Sequence, residues 1–130
     1  MTPPALLQTH ADELEQLVGV QVSLIEQPPQ IFVVIENTPL PGVYTRRTCT
    51  ALLQTDVLYP RSAMDMFWLD IDVERADRRM PSGTESVEPY IGRTWRRYSW
   101  HRNGVWSTAG NPLLDHYEFM QARLALEVAA

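Results

Sequence analysis

The chain has 130 residues, of which 45% are hydrophobic and 21% charged, and its formal net charge is −5. This size and composition predict one globular domain, residues 1–130, that needs no disulfide or metal for stability. The single cysteine, Cys49, excludes an intramolecular disulfide and a multi-cysteine metal site, and the acidic balance argues against a nucleic-acid partner.

The N-terminal segment predicts an amphipathic helix that ends at Gly19 and begins near Pro4, or at a cap formed by Thr9. Its apolar residues recur at helical spacing: Leu6, Leu7, Leu14, Leu17 and Val18. The segment has no basic region before an apolar run, so it does not resemble a signal peptide. No stretch reaches the roughly 18 apolar residues of a membrane span. We therefore expect a cytoplasmic protein with no membrane partner.

Four strands are predicted after this helix, separated by turns that contain proline. They cover approximately residues 20–24, 31–35, 46–53 and 64–73. On the third strand, Cys49 shares one face with Ala51 and Leu53, which predicts a core thiol. On the fourth, Asp70 and Asp72 share a face and Glu74 follows. Without a histidine nearby these acids are expected to be solvated rather than to bind a metal.

Residues 74–94 show no periodicity and contain two prolines and two glycines, so we predict a long loop that is either functional or disordered. A second helix should follow, with Asn111 as its N-cap and Pro112 in its first position. One face of this helix is apolar: Leu113, Tyr117, Met120, Leu124 and Val128. The order of helix, four-stranded antiparallel meander, long loop and helix predicts an α+β fold.

Four sequence blocks carry a family resemblance: PGVYT, LYPRSAMDMFWL, GRTWRRYSWH and VWSTAGNPL. In this order they resemble prokaryotic family E of the ubiquitin-conjugating-enzyme superfamily. The shared features are a strand that ends in Tyr59-Pro60, an active-site loop, and a turn at Trp106-Ser107 before a helix. The resemblance spans residues 20–128 and implies a ubiquitin-conjugating-enzyme-like α+β fold.

The chain departs from the superfamily pattern at the nucleophile. It has neither the His-Pro-Asn motif nor the cysteine that follows it in the loop, and Cys49 precedes Tyr59-Pro60, where the superfamily has no nucleophile. The segment that matches the active-site region contains Ser99, Trp100 and His101 instead. The resemblance therefore implies an enzyme without a catalytic cysteine.

The activity implied by the resemblance is transfer of a ubiquitin-like protein to a target amine in a bacterial pathway. The donor would be an activating enzyme whose adenylating domain uses ATP, so no cofactor is expected in this chain. A JAB-type isopeptidase often accompanies such proteins in an operon, and some of these operons resemble phage-defence systems.

Ser99 and His101 are the candidate catalytic residues. Two residues apart on an extended segment, they would project to the same side, which would place an imidazole near a hydroxyl. Histidine titrates near neutral pH and is the commonest general base. Asp115 is a candidate for orienting the ring. The alternative is that the pair only stabilises a loop through hydrogen bonds.

A run of arginines surrounds this pair, and together with Trp100 it forms a candidate partner-binding patch: Arg93, Arg96, Arg97 and Arg102. Arginine and tryptophan are typical interface anchors, so the patch would contact the acyl donor or another acidic partner. The alternative is a solvated strand face. All eleven basic side chains in the chain are arginine, which reflects either genomic base composition or avoidance of self-modification at lysine.

Two further hypotheses belong to other functional classes. The chain could be a catalytically inactive module that binds a ubiquitin-like protein or its activating enzyme, or an unrelated cytoplasmic interaction domain. The missing cysteine favours the inactive module. The proximity of Ser99 and His101 in the sequence favours the enzyme.

Overall fold

The computed structural model describes residues 2–126 and begins with the predicted helix, α1, at Ala5–Val18. The residues that α1 buries recur at helical spacing: Leu7, His10, Ala11 and Leu14. Gly19 ends the helix in the left-handed conformation, with φ of 80°, and donates its N–H to the Glu15 carbonyl. Thr9 lies inside the helix, so the start next to Pro4 is the correct one.

The first four strands are neighbours in sequence and in space, each antiparallel to the next. They are β1 (Gln21–Gln27), β2 (Gln30–Pro39), β3 (Thr48–Thr55) and β4 (Phe67–Asp70). β4 is shorter than the predicted strand 64–73, because the chain turns after Asp70 and the Val73 N–H donates back to the Asp70 carbonyl at 3.1 Å. The helix-side face of β3 buries Cys49, as its alternation predicted.

Two more strands extend the sheet, β5 (Val87–Tyr90) and β6 (Arg93–Tyr98). Among the described residues the sheet therefore has six strands, in the order β1-β2-β3-β4-β6-β5. The prediction of a four-stranded sheet was wrong in the number of strands. The prediction of a loop over 74–94 was wrong from Val87 onwards, where β5 begins. Ile91 and Gly92 join β5 to β6 with φ of 47° and 76°, the signs of a type I′ turn. Pro89 is tolerated because β5 is an edge strand.

Both faces of the sheet are covered. The two helices pack on one face. The other face buries a smaller cluster: Phe32, Val34, Leu52, Trp68 and Trp95. Although three strands separate β2 from β5, the Tyr90 ring lies 5.1 Å from that of Phe32 and 6.0 Å from that of Trp68. The sheet is therefore curled, so that the β5–β6 hairpin covers its outer face.

The C-terminal helix, α2, spans Pro112–Leu126 and begins as predicted. The Asn111 side-chain carbonyl accepts the Leu114 N–H at 2.9 Å, while its amide group donates to the His10 carbonyl at 3.2 Å. The predicted apolar face is buried at Leu113, Tyr117, Met120 and Leu124. Val128 lies outside the described residues. Neither helix between residues 2 and 126 has the length and apolar character needed to cross a membrane.

A buried hydroxyl connects both helices to the turn after β3. The Tyr59 oxygen accepts the Leu113 N–H at 3.1 Å and lies 2.6 Å from His10 Nδ1, to which it can donate its own proton. Burial raises the pKa of Tyr59 to about 12, so the hydroxyl stays protonated and keeps both roles.

Replacing this hydroxyl should destabilise the fold without opening a cavity. In Tyr59→Phe, the Leu113 N–H and His10 Nδ1 both lose a buried partner, and we expect the free energy of unfolding to fall by about 1–3 kcal/mol. Urea unfolding measures this loss. Tyr90→Phe is the matched control, because the Tyr90 ring packs on Phe32 and Trp68 and no hydrogen bond of its hydroxyl is found among the described residues. Equal losses in the two variants would contradict the assignment.

Candidate active site

His101 and Asp65 form a hydrogen-bonded pair where β6 ends and β4 begins. His101 Nδ1 lies 2.8 Å from one Asp65 carboxylate oxygen and 3.0 Å from the other. Both side chains are more than half exposed, at 64% and 52%. If Nδ1 carries the proton that the carboxylate accepts, Nε2 is left as the basic nitrogen of the ring. The pair therefore has the form of a general base held by an orienting carboxylate.

The position of Asp65 is fixed through the next residue. Met66 adopts a left-handed conformation with φ of 57°, and its N–H donates to the Asp65 carboxylate at 3.1 Å. The Met66 carbonyl lies 2.8 Å from Nε2 of His116, a fully buried residue of α2. A carbonyl only accepts, so His116 Nε2 must be the donor. α2 therefore holds the backbone that presents Asp65.

Ser99 does not pair with His101. The Trp100 N–H donates to the Tyr98 carbonyl at 2.8 Å, which closes a three-residue turn centred on Ser99. This turn interrupts the extended geometry on which the same-side prediction depended. Ser99 Oγ instead accepts a hydrogen bond from Arg97 Nε at 2.9 Å, and no hydrogen bond between Ser99 and His101 is found within residues 2–126.

Asp115, the residue considered for orienting the imidazole, is exposed on α2. Within the described chain it has no hydrogen bond or ion pair with His101. Asp65 occupies that place, and sequence reasoning missed it. The signal that would have identified Asp65 is the register of β4 against β6, in which Phe67 lies opposite Tyr98. A residue just before β4 must then lie close to residues just after β6.

The arginines of the predicted patch lie in different environments. Arg93 forms an ion pair with Asp70 and lies 4.3 Å from the centre of the Trp95 ring. Arg97, on the same face of β6, contacts Glu88 at 3.3 Å. The other two are elsewhere: Arg96, which donates to the Thr84 carbonyl at 2.9 Å, and Arg102, which lies 5.3 Å from the Trp106 ring. They do not form one continuous surface, because Arg96 faces the opposite side of β6 from Arg93 and Arg97, and Arg102 lies beyond the strand.

Trp100 is buried and packs within the helix-side core. Its indole N–H donates to the Ser82 carbonyl at 2.7 Å, and its ring stands edge-on to those of Phe67 and Tyr98. The Arg123 guanidinium lies 4.2 Å from the ring centre. Trp100 therefore supports the segment that carries Ser99 and His101, and its surface is not open to a partner.

Trp106 joins two of the blocks that carry the family resemblance. Its indole N–H donates to the Pro60 carbonyl at 2.7 Å. The turn before α2 is thus tied to the Tyr59-Pro60 turn after β3, and this bond closes the chain segment between them, which contains β4 to β6 as well as Ser99 and His101.

Cys49, on β3, and Asp70, at the end of β4, are both buried. Burial, with a smaller contribution from the nearby Asp70 carboxylate, raises the pKa of the Cys49 thiol to about 12, so the thiolate needed for nucleophilic attack is suppressed. Asp70 was expected to be solvated, but it accepts the Thr50 N–H at 2.6 Å and pairs with Arg93. In the described part of the chain, no three His, Cys, Asp or Glu side chains are grouped so as to hold a metal ion.

Comparison with known families identifies a family model that covers most of the chain. The model of a family described as Prokaryotic E2 family E matches residues 7–127. No curated protein and no solved structure shows a significant match to the chain.

The buried imidazole of His116 should make stability depend on pH. Burial lowers its pKa from 6.5 to about 4, so His116 is neutral in the fold. Between these two pH values the unfolded chain binds a proton that the folded chain does not, and stability should fall as the pH drops. At pH 4 this one group should lower the free energy of unfolding by about 3 kcal/mol relative to its value above pH 7.

His116→Gln tests this dependence, because glutamine can donate to the Met66 carbonyl but does not titrate. Urea unfolding at pH 7 and pH 5 should show a smaller loss in the variant than in the unmodified chain. The carboxylates are the same in both proteins, so their contribution to the loss of stability cancels when the two losses are compared. Identical pH dependence would contradict the burial of a neutral imidazole.

Proposed function

The chain belongs to prokaryotic E2 family E, as its sequence motifs predicted, and we propose that it transfers a ubiquitin-like protein to a target amine without a catalytic cysteine. The family places it in ubiquitin-like conjugation. The observation that carries the finer proposal is the His101–Asp65 pair, which offers an exposed, oriented base two residues from the Ser99 hydroxyl.

In the first step of the proposed reaction, Ser99 Oγ attacks the carbonyl carbon at the C-terminus of the ubiquitin-like protein, which the activating enzyme holds as a thioester. The Oγ–C bond forms, the C–S bond breaks, and the activating enzyme leaves as a thiolate. The hydroxyl proton passes to His101 Nε2 and from there to the departing thiolate, so the imidazole is neutral again before the second step. This transfer requires the turn at Ser99 to open, because the two side chains are not hydrogen bonded to each other in the structure.

In the second step, the target amine attacks the ester carbonyl. His101 Nε2 accepts a proton from the amine, the C–N bond forms, the C–Oγ bond breaks, and the imidazolium returns the proton to Oγ, which restores the Ser99 hydroxyl. Negative charge develops on Oγ as it leaves. The Arg97 guanidinium already donates to this oxygen at 2.9 Å, which is where charge stabilisation is required. Asp65 keeps the imidazole oriented through both steps.

The proposed partners follow from this reaction: a ubiquitin-like protein, an activating enzyme with an adenylating domain, and in some operons a JAB-type isopeptidase. Two of the four arginines of the predicted patch, Arg96 and Arg102, are not contacted by any carboxylate among the described residues. We propose that Arg102, rather than all four, attracts an acidic partner, since Arg96 is turned towards the Thr84 carbonyl.

A second candidate function is an inactive module that binds the ubiquitin-like protein or its activating enzyme. The specific observation in its favour is that Ser99 Oγ is bound to a guanidinium and, within the described residues, to no base. In that case His101 and Asp65 would only stabilise the loop.

The first test is formation of a covalent adduct with the ubiquitin-like protein, its activating enzyme and ATP. The adduct should resist reducing agent and be cleaved by mild base, as an ester is. Ser99→Ala should abolish it, and Ser99→Cys should give a thioester that reducing agent cleaves. Ser107→Ala, at an exposed serine on the same loop, is the matched control. Cys49→Ala should keep the adduct, since the buried thiol is not the nucleophile.

Other results would change the assignment. An adduct that persists in Ser99→Ala but is lost in His101→Ala would make histidine the acyl carrier. Loss of the adduct in a folded Cys49→Ala protein would overturn the serine proposal. Binding of the ubiquitin-like protein with no adduct in the unmodified chain would favour the inactive module.

The second test measures the rate of acyl transfer to an amine by single-turnover kinetics. His101→Ala should slow transfer by roughly 100-fold, within the usual range for loss of a general base. Asp65→Asn should slow transfer less, because the ring remains but loses its charged partner. Asp115→Asn is the matched control and should transfer at the normal rate. If Asp115→Asn were as slow as Asp65→Asn, the pairing of His101 with Asp65 would not be the functional one.

A further inference from the structure

A concave cleft of about 430 Å³ lies between the segment after β4 and the helix-side face of β6. Its size is within the range of small-molecule sites. The residues that line it are Tyr44, Ile71, Val73, Glu74, Arg75, Arg78, Arg79, Met80, Pro81, Thr84, Arg96 and Tyr98. Ser99, His101 and Asp65 are not among them, so the cleft adjoins the candidate active site at Tyr98 without including its catalytic candidates.

Backbone hydrogen bonds hold both ends of the segment that forms the outer wall. At one end the Ala76 N–H donates to the Val43 carbonyl at 2.7 Å, and at the other the Ser99 N–H donates to the Gly83 carbonyl at 2.9 Å. These two bonds fix the segment between residues 76 and 83, so the outer wall of the cleft is a fixed feature of the fold.

The charge of the cleft is opposite to that of the chain. Four guanidiniums line it, in a protein whose net charge is −5. Arg75 is buried and forms a two-point contact with the Asp77 carboxylate, at 3.0 and 2.8 Å. With Glu74 and Asp77 as the acidic neighbours, four positive charges face two negative ones, an excess of two.

Two of these arginines, Arg78 and Arg79, are exposed, and the Arg79 charge helps to lower the pKa of the Asp77 carboxyl. Within residues 2–126, neither Arg78 nor Arg79 has an ion pair or a side-chain hydrogen bond. Arg96 is fixed by its bond to the Thr84 carbonyl at 2.9 Å. One fixed and two unpaired guanidiniums at the mouth of a cleft suit a ligand with several anionic oxygens, because arginine binds phosphate through paired N–H groups.

Part of the remaining wall is apolar, beside Glu74 and Thr84. Met80 and Ile71 are exposed at its rim, at 57% and 39%, and Pro81 is beside them. An inorganic anion alone would leave this wall uncovered, whereas a ligand with a flat or apolar body would cover it. The concave shape also favours a compact ligand over an extended acidic peptide.

We propose that this cleft binds a phosphate-bearing small molecule of mononucleotide size. Arg78, Arg79 and Arg96 hold the phosphate, and Met80, Ile71 and Pro81 contact the body of the ligand. A dianionic phosphate balances the excess of two positive charges. The proposal does not depend on the transfer reaction, since binding is measured on the isolated chain.

Isothermal titration of the full chain at low salt tests the proposal with 5′-AMP, adenosine and inorganic phosphate as probes. AMP should bind, adenosine should not, and phosphate should bind more weakly than AMP. The double variant Arg78→Gln/Arg79→Gln should bind AMP at least about tenfold more weakly, because two charged contacts are lost. Arg61→Gln, at an exposed arginine outside the cleft, is the matched control and should bind normally. Added salt should weaken binding of AMP to the unmodified chain.

Three results would overturn the proposal. The first is no binding of AMP or phosphate at low salt. The second is AMP affinity that the double variant leaves unchanged. The third is binding of an Asp/Glu-rich peptide with no binding of AMP, which would make the cleft a surface for an acidic protein. Circular dichroism of the double variant confirms that any loss of binding does not come from unfolding.

Discussion

The antiparallel register between β4 and β6 determines the candidate active site. Phe67 lies opposite Tyr98, and their rings stack with centres 5.1 Å apart and planes inclined by 12°. A shift of one residue would turn each side chain of the strand to the opposite face of the sheet. Burial of this aromatic pair therefore specifies the register, and the register brings Asp65, just before β4, to His101, just after β6.

α2 then fixes the backbone next to Asp65. Its first turn is held by the Tyr59 hydroxyl, and its second carries His116, which binds the Met66 carbonyl. Met66 is in a conformation that a non-glycine residue adopts at some energetic cost. A buried, neutral histidine is a suitable partner for it, because the imidazole can donate without bringing a charge into the core. The exposed pair of His101 and Asp65 thus depends on buried contacts behind it.

The sequence was sufficient for the two helices and for β1 to β3, where periodicity, proline turns and the Asn111 cap agree with one another. It was not sufficient for the β5–β6 hairpin. Pro89 lies within β5, and the turn places Ile91, a β-branched residue, at positive φ, which propensity argues against. The partners of Ser99 were missed for a related reason, since a three-residue turn at this position has no distinct sequence signal. Contacts set by strand register cannot be read from local spacing.

The chemistry of an oxyester explains why Arg97 matters in the proposed transfer. An ester is a weaker acyl donor than a thioester, since an alkoxide is a poorer leaving group than a thiolate. A serine enzyme must therefore stabilise the charge that develops on the leaving oxygen. Arg97 is oriented for this before any substrate arrives, because it also contacts Glu88 at 3.3 Å and Ser86 Oγ at 3.2 Å while Nε donates to Ser99. The planar guanidinium makes these three contacts at once, which the single ammonium of a lysine would do less well. In this proposal, the hydrogen bond from Arg97 Nε to Ser99 Oγ has two roles. It keeps Ser99 apart from His101 before the reaction, and it stabilises the charge on Oγ when the ester is cleaved.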